Sequence, residues 1–259
     1  NNDMGKEFLG RLLDQTADVK LVDFKHLADN DFAVVDELVF GPESKGSFRP
    51  DITLLVNGIP LGFLEVKKPN NEGGIQKEFH RMLDERLQIP EYKKYFNMLQ
   101  FITFSNNMEY ESDNDAAPAE EIRAGSFYST PNGNRTFFSF FREENPKTTG
   151  FKEVSMDEVR YVLKDNGYSP SYADTEEFQT NLQPSQPCNR FVTSFFEISR
   201  MMYLLQYGFF YVDTIDEKTG QPVTQKHIMR YPQFFASKAI LKRIDSGGKS
   251  GIIFHTQGS

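Results

Sequence analysis

Residues 49–68, Arg-Pro-Asp-Ile-Thr-Leu-Leu-Val-Asn-Gly-Ile-Pro-Leu-Gly-Phe-Leu-Glu-Val-Lys-Lys, constrain the fold of this chain more than any other stretch. Two runs of β-branched and apolar residues flank Asn57-Gly58, the dipeptide that most readily supplies the two positive φ values of a tight hairpin turn. Successive side chains on a strand leave opposite faces, so Glu65 and Lys67 share one face, and Leu64 and Val66 are expected to pack on the other. With a strict two-residue turn Asp51 would stand opposite Leu64, on the wrong face to meet Glu65. Pro60 has no N–H for the ladder, which makes a bulge between residues 57 and 62 the expected remedy. With that bulge, Asp51 and Glu65 converge on one hard cation through oxygen ligands, and Lys67 stands beside them as a fixed positive charge. That layout suits metal-assisted phosphodiester hydrolysis. Asp, Glu and Lys are common, and a hairpin with its charges on a solvated face explains the pattern alone equally well. The functional reading gains because Glu65 and Lys67 end an otherwise apolar strand, where charges without partners are costly.

The chain has 259 residues, enough for one large or two small domains. No apolar run approaches the length of a membrane span and no signal-peptide pattern opens the sequence, so a soluble, cytoplasmic protein is expected. Cys188 is the single cysteine, which excludes an internal disulfide and a cysteine-built zinc site; a small half-buried side chain is its expected role. The net charge of −8 argues against gripping nucleic acid by bulk electrostatics. DNA contact would then need a local basic patch or partner subunits, and Lys67-Lys68, Arg81, Arg86 and Lys93-Lys94 are the local candidates. Ordinary solvated surface is the preferred reading for all of these except Lys67.

Along the chain, Phe8, Leu9, Leu12 and Leu13 predict a helix over 5–15, and short strands are predicted over 19–24 and 32–40, the second pairing with the Asp51 strand. Residues 41–46 form a loop beside the site. After Lys68, Ile75, Phe79, Met82, Leu83 and Leu87 fit a helix crossing back over the sheet, and 98–104 a buried strand ending at Ser105-Asn106-Asn107. Strand, strand, helix, strand is a mixed α/β core. The 109–185 region is polar and turn-rich, with a hairpin over 127–141 around Pro131-Asn132-Gly133-Asn134 and a capping box, Ser155 with Glu158, before a helix to about Leu163. It is expected to elaborate the core, with a seam at 183–187. One long helix through Phe191, Phe195, Phe196, Ile198, Met202 and Leu205 is predicted to stop at Gly208. Two strands joined near residues 217–220, a helix opening at Tyr231-Pro232-Gln233, and an apolar strand over 251–254 complete the chain. The final His255-Thr256-Gln257-Gly258-Ser259 is how a phosphate-cradling loop begins, although a plain strand-loop terminus explains it equally well.

Asp51 and Glu65-Val66-Lys67, Ser105-Asn106-Asn107, Arg230-Tyr231-Pro232-Gln233 and His255 to Ser259 together resemble the N-terminal part of the motor (R) subunit of type I restriction enzymes. The hairpin carries the PD-(D/E)xK nuclease signature of that family. The resemblance implies a PD-(D/E)xK endonuclease domain over 1–185, a mixed sheet flanked by helices. It implies that 186–259 are the start of the first RecA-like motor domain, stopping short of the P-loop Gly-Lys-Thr. It implies Mg2+ held by Asp51, Glu65 and the Val66 carbonyl, with Lys67 orienting the attacking water or stabilising the phosphate. In the full-length protein ATP would be contacted by Gln233, Thr256, Gly258 and Ser259. The implied partners are double-stranded DNA and the methyltransferase (M) and specificity (S) subunits, in a bacterial or archaeal cytoplasm, with no membrane. The family's Gln-x-x-x-Tyr helix motif is not matched: the aligned helix has Gln76 and His80, and the literal match from Gln88 to Tyr92 contains Pro90. An upstream helical acid for the metal is not identifiable, and Glu7 is a weak candidate. Two rival functions stand beside this one: a non-catalytic domain docking a DNA motor to its methyltransferase, and a free-standing resolvase-like nuclease.

Overall fold

In the computed structural model, which describes residues 3–41, 47–69, 74–110, 116–117, 122–131, 138–142, 151–215 and 219–254, the sheet grows from the Asn57-Gly58 turn. Asn57 (φ 53°) and Gly58 (φ 74°) take the two left-handed positions of a two-residue hairpin turn between β2 (Ile52–Val56) and β3 (Ile59–Val66). Asn57 also fixes where the hairpin docks. Its Oδ1 accepts the Asp31 N–H at 2.7 Å, and its amide donates to the Leu21 carbonyl and Asn30 Oδ1. Next to the turn Leu55 pairs with Pro60, but Leu54 pairs with Gly62, so Leu61 is the extra residue of a bulge. The bulge lies in the predicted interval and moves Ile52 opposite Leu64, which leaves Asp51 level with Glu65.

β1 (Phe32–Asp36) adds antiparallel to β2 as expected, and stops where Glu37 turns left-handed (φ 47°). A parallel strand, β4 (Phe101–Ser105), lies on the other side of β3. The parallel step needs a crossover, which α2 (Gly74–His80), a wide π turn (Arg81–Glu85), two 3-10 turns and α3 (Lys93–Met98) provide. Beyond β4 come β6 (Ser126–Ser129), β7 (Phe138–Phe140) and the two-residue β5 (Ala116–Ala117), giving the order β1-β2-β3-β4-β6-β7-β5 among the described residues.

Each face of this sheet has its own apolar layer. Phe63, Ile102, Phe104 and Phe127 pack under Ile75 and Phe79 of α2 and Tyr95 and Phe96 of α3. Leu61, Phe101 and Tyr128 face the other way, against Leu9 and Leu12 of α1 (Asp3–Leu13), α6 (Pro187–Phe195), α7 (Ile198–Tyr207) and Phe234 of α8 (Tyr231–Asp245). The alternation Phe101/Ile102 and Phe127/Tyr128 follows from the period of two. The C-terminal helices thus share a core with the N-terminal sheet. The remaining helices, α4 (Met156–Asp165) and α5 (Glu176–Asn181), follow β7, and Ser155 and Glu158 form the expected capping box at the start of α4. A two-stranded ribbon, β8 (Phe209–Ile215) and β9 (Pro222–Ile228), precedes α8.

Four expectations are corrected, and the expected 127–141 hairpin is found and placed. Residues 19–24 are irregular, because side chains take the place of a partner strand: Gln15 donates to the Val22 carbonyl and accepts from Phe24, and Asn30 bonds the backbone of Asp23 in both directions. The 127–141 hairpin is part of the main sheet, with Phe127, Phe138 and Phe140 in the core; its turn residues 132–134 lie outside the described residues. The single long helix is two, since Glu197 (ψ 127°) breaks it and its carboxylate accepts the Ser199 and Arg200 N–H groups to cap α7. Val66 is 40% exposed, since β3 runs past the last residue of β2 that opposes it. Residues 251–254 are not a strand in any sheet: Ile252 and Phe254 are 95% and 87% exposed. No helix among the described residues is long and apolar enough to cross a membrane.

Candidate active site

The bulge sets the geometry. With Asp51 level with Glu65, Asp51 Oδ2 accepts the Val66 N–H at 2.7 Å, closing the open end of the hairpin. Glu65 points to the α2–α3 face beside Phe63 and Phe104 and is 3% exposed. Lys67 follows on the same side, its N–H bonded to the Ser105 carbonyl at 2.8 Å. Its ammonium lies 3.3 Å from Glu65 Oε2 and 3.9 Å from Asp51 Oδ2. The three residues singled out in the sequence therefore come together.

Two further charges join them. Glu78 of α2, 8% exposed, places Oε2 3.7 Å from the Lys67 ammonium. Arg86 places Nη1 2.9 Å from Glu78 Oε1 and 3.6 Å from Glu65 Oε1, with its guanidinium 4.3 Å from the centre of the Phe48 ring. Glu78 was missed although the sequence carries its signal: it lies three residues after Ile75 and four before Met82, so a carboxylate sits on the apolar side of its helix. Arg86 was not. Eight residues of ideal helix would place it about 80° round from Glu78, but the wide turn accommodates one extra residue and cuts the offset to about 20°.

Electrostatically the site is under strain that its ion pairs do not cancel. The Glu65 carboxyl is pushed from 4.5 up to about 7, first by burial and then by the Asp51 charge, so desolvation outweighs the attraction of Lys67 and Arg86. Burial also pushes the neighbouring Tyr95 phenol up, and the Glu65 charge adds to that. Glu65 Oε1, Glu78 Oε1 and Arg86 Nη1 are buried without an aligned hydrogen bond; the 2.9 Å approach of Arg86 to Glu78 is a charge contact rather than a directed bond.

The other expected residues fall elsewhere. Glu7 is exposed on α1, whose Leu9 and Leu12 pack on the opposite face of the sheet from Glu65. His80 is exposed, and the Gln76 side chain lies outside the described residues. Gln88 and Tyr92 belong to separate 3-10 turns around the extended Ile89, and Tyr92 is buried in the core, so that pair does not line a surface path. Asn107 accepts the Cys188 N–H at 3.0 Å, tying the end of β4 to the first turn of α6, and Cys188 is half-buried as expected. Gln233 is exposed, with Oε1 accepting the Arg230 N–H at 3.0 Å to cap α8. Thr256, Gly258 and Ser259 lie outside the described residues, as do residues 42–46 of the loop expected beside the site.

Residues 3–117 match the family described as "Type I restriction enzyme R protein N terminus". A Methanocaldococcus jannaschii protein provisionally named the type I restriction enzyme MjaVIIP endonuclease subunit is 28% identical over 250 residues, covering 93% of this chain and 18% of the relative. The HindI endonuclease subunit of a type I restriction enzyme from Haemophilus influenzae is 43% identical over 54 residues, 21% of this chain and 5% of the relative. A second M. jannaschii protein, provisionally named the MjaVIIIP endonuclease subunit, is 34% identical over 83 residues, 32% of this chain and 8% of the relative. The chain thus spans less than a fifth of the length of the curated relatives it matches.

Proposed function

We propose that this chain, whose residues 3–117 match the N-terminal family of type I restriction enzyme R proteins, is the DNA-cleaving part of an ATP-dependent type I restriction endonuclease. In this reading the sheet is a PD-(D/E)xK nuclease core that hydrolyses phosphodiesters of double-stranded DNA with Mg2+. Residues 186–259 begin a RecA-like motor domain, and in the whole subunit cleavage is coupled to ATP-driven translocation alongside M and S subunits.

The observation that carries the reading is the lone pair of Glu65 Oε1, buried and without a hydrogen bond, on a carboxylate whose other oxygen shares the Lys67 ammonium with Asp51. A buried carboxylate oxygen without a hydrogen bond costs about 1–3 kcal/mol, and a bound cation offsets that cost. Oxygen-only donors suit a hard divalent ion, and Asp51, Glu65 and the Val66 carbonyl would hold it. Bound there, such an ion would supply Lewis-acid polarisation of the phosphodiester and of the attacking water. The chain's own groups do the rest. Asp51 anchors the end of β3 through the Val66 N–H, so its second oxygen keeps a fixed direction. Lys67, within 4 Å of both carboxylates, is placed to orient a water or to neutralise charge developing on the phosphate. Phe63, Phe104 and Tyr95 limit solvent around Glu65, which strengthens each of these interactions.

In the R subunit assembled with its partners, Asp51→Ala should lower DNA cleavage by about 100-fold or more and leave DNA-dependent ATP hydrolysis unchanged. The docking reading draws support from the ion pairs of Lys67 with Asp51, Glu65 and Glu78, which a scaffold could also use. Undiminished cleavage by Asp51→Ala would favour docking, and a parallel loss of ATP hydrolysis in a folded variant would refute the separation of the two sites.

A further inference from the structure

Arg86 has two unusual features for a surface-derived arginine. It is anchored from two sides, by Glu78 at 2.9 Å and by the Phe48 ring at 4.3 Å, and its Nη1 is buried without an aligned hydrogen bond. That same nitrogen stands 3.6 Å from Glu65 Oε1, the oxygen that also lacks a hydrogen bond. The contact has the right sign for an ion pair but lacks the aligned, bidentate hydrogen bonds of the strongest arginine–carboxylate pairs.

We propose that Arg86 is a resident counter-cation of the site, held against Glu65 by Glu78 and Phe48, which keeps the affinity for a divalent ion low. This rests on the metal-site reading of Asp51 and Glu65. With Glu65 ionised, as it is above about pH 7, three carboxylates, Asp51, Glu65 and Glu78, face two cations, Lys67 and Arg86. One net negative charge remains, so a divalent ion overcompensates it. Removing Arg86 leaves two negative charges, a match for the ion by itself. Removing the Glu78 charge has the opposite effect twice over, because a carboxylate is lost and Arg86 is left with Glu65 as its acidic partner. Glu78 is in this sense a positioning residue acting through Arg86 and Lys67.

The prediction is a pair of effects of opposite sign, which loss of packing alone does not produce. Mn2+ binding to the purified chain is followed by titration calorimetry, with thermal melts to establish folding. Arg86→Gln should bind Mn2+ at least about tenfold more tightly than the unsubstituted chain, the lower bound given by removing one like charge roughly 6 Å from a divalent ion at the dielectric of water. Arg86→Lys, which retains the charge, should stay within about twofold, and Glu78→Gln should bind several-fold more weakly. Equal or weaker binding by a folded Arg86→Gln overturns the proposal, as does equal tightening by Arg86→Lys. Asp51→Ala separates the two levels of the argument. If it abolishes Mn2+ binding while the Arg86 variants behave alike, the counter-cation role fails and the metal site stands; if it leaves binding unchanged, the metal site itself fails.

Discussion

Glu65 and Lys226 are equally buried, at 3% exposure each, yet the fold treats them in opposite ways. Lys226, on β9, donates to the Leu99 carbonyl at 3.1 Å and to Gln100 Oε1 at 2.6 Å, and lies 5.2 and 5.8 Å from the centres of the Phe209 and Tyr211 rings. Its partners are neutral and aligned, and they fasten the β8–β9 ribbon to the α3–β4 connection. Glu65 has the charged Lys67 and Arg86 as neighbours and an oxygen with no aligned donor. A buried charge that serves the fold has its hydrogen bonds placed, whereas one kept for a ligand keeps a lone pair in reserve.

The comparison is sharpened most by pH. Folded Glu65 titrates at about 7 against a reference value of 4.5, so folding takes up a proton between those values. Stability from this group is full below pH 4.5, falls as pH rises, and is gone above about 7, a change on the order of 3 kcal/mol. Glu65→Gln should remove that slope and be the more stable protein at pH 8 without metal. Thermal melts of both proteins from pH 5 to 8 give the difference directly, and a constant difference across that range would break the contrast.

Gly62 tests whether the geometry, rather than the residue types, makes the site. A Cβ there would lie 2.0 Å from the Phe101 ring, itself 1% exposed and unable to yield. Gly62→Ala should cost about 2 kcal/mol through overpacking. It should also displace the bulge and weaken Mn2+ binding, while leaving the Lys226 contacts intact. A stable Gly62→Ala chain with normal metal affinity would show that the register does not set the metal site.

The hairpin was legible because its signals are local. Asn57-Gly58 fixes the turn, Pro60 marks the irregularity, and a period of two then assigns Glu65 and Lys67 to one face. The α7 break was hidden because Phe195 and Phe196 continue a helical spacing through it, and only the Glu197 side chain reaching forward to Ser199 and Arg200 reveals a new start. Residues 19–24 looked like a strand because Val22 is fully buried, but Gln15 and Asn30 supply its hydrogen bonds from outside any sheet. Arg86 needed knowledge of one wide turn, which no spacing rule announces. The role of Lys226 was out of reach, because its acceptors at Leu99 and Gln100 are far away in the chain.

Lys226→Met carries the smallest expected effect and the most informative sign. The substitution conserves volume, so little cavity cost arises. Two opposing terms remain. The Leu99 carbonyl and Gln100 Oε1 lose their donor, which costs about 1–3 kcal/mol, and the cost of burying an amine disappears. Burial holds the Lys226 amine well below its usual 10.5, so unfolding takes up a proton as pH falls below that value. Stability from this group is therefore full above pH 10.5 and declines as pH drops toward its folded pKa, opposite in slope to Glu65. At pH 9 Lys226→Met should be about 1 kcal/mol less stable, a shift of about 2–4 °C for a chain of this size. The deficit should shrink as pH is lowered toward 7, because the wild-type amine then costs more to bury. Melts at both values, with DNA cleavage unchanged, would establish Lys226 as a fastening residue; a metal-dependent melt in which Lys226→Met loses its response to Mn2+ would place it in the site after all.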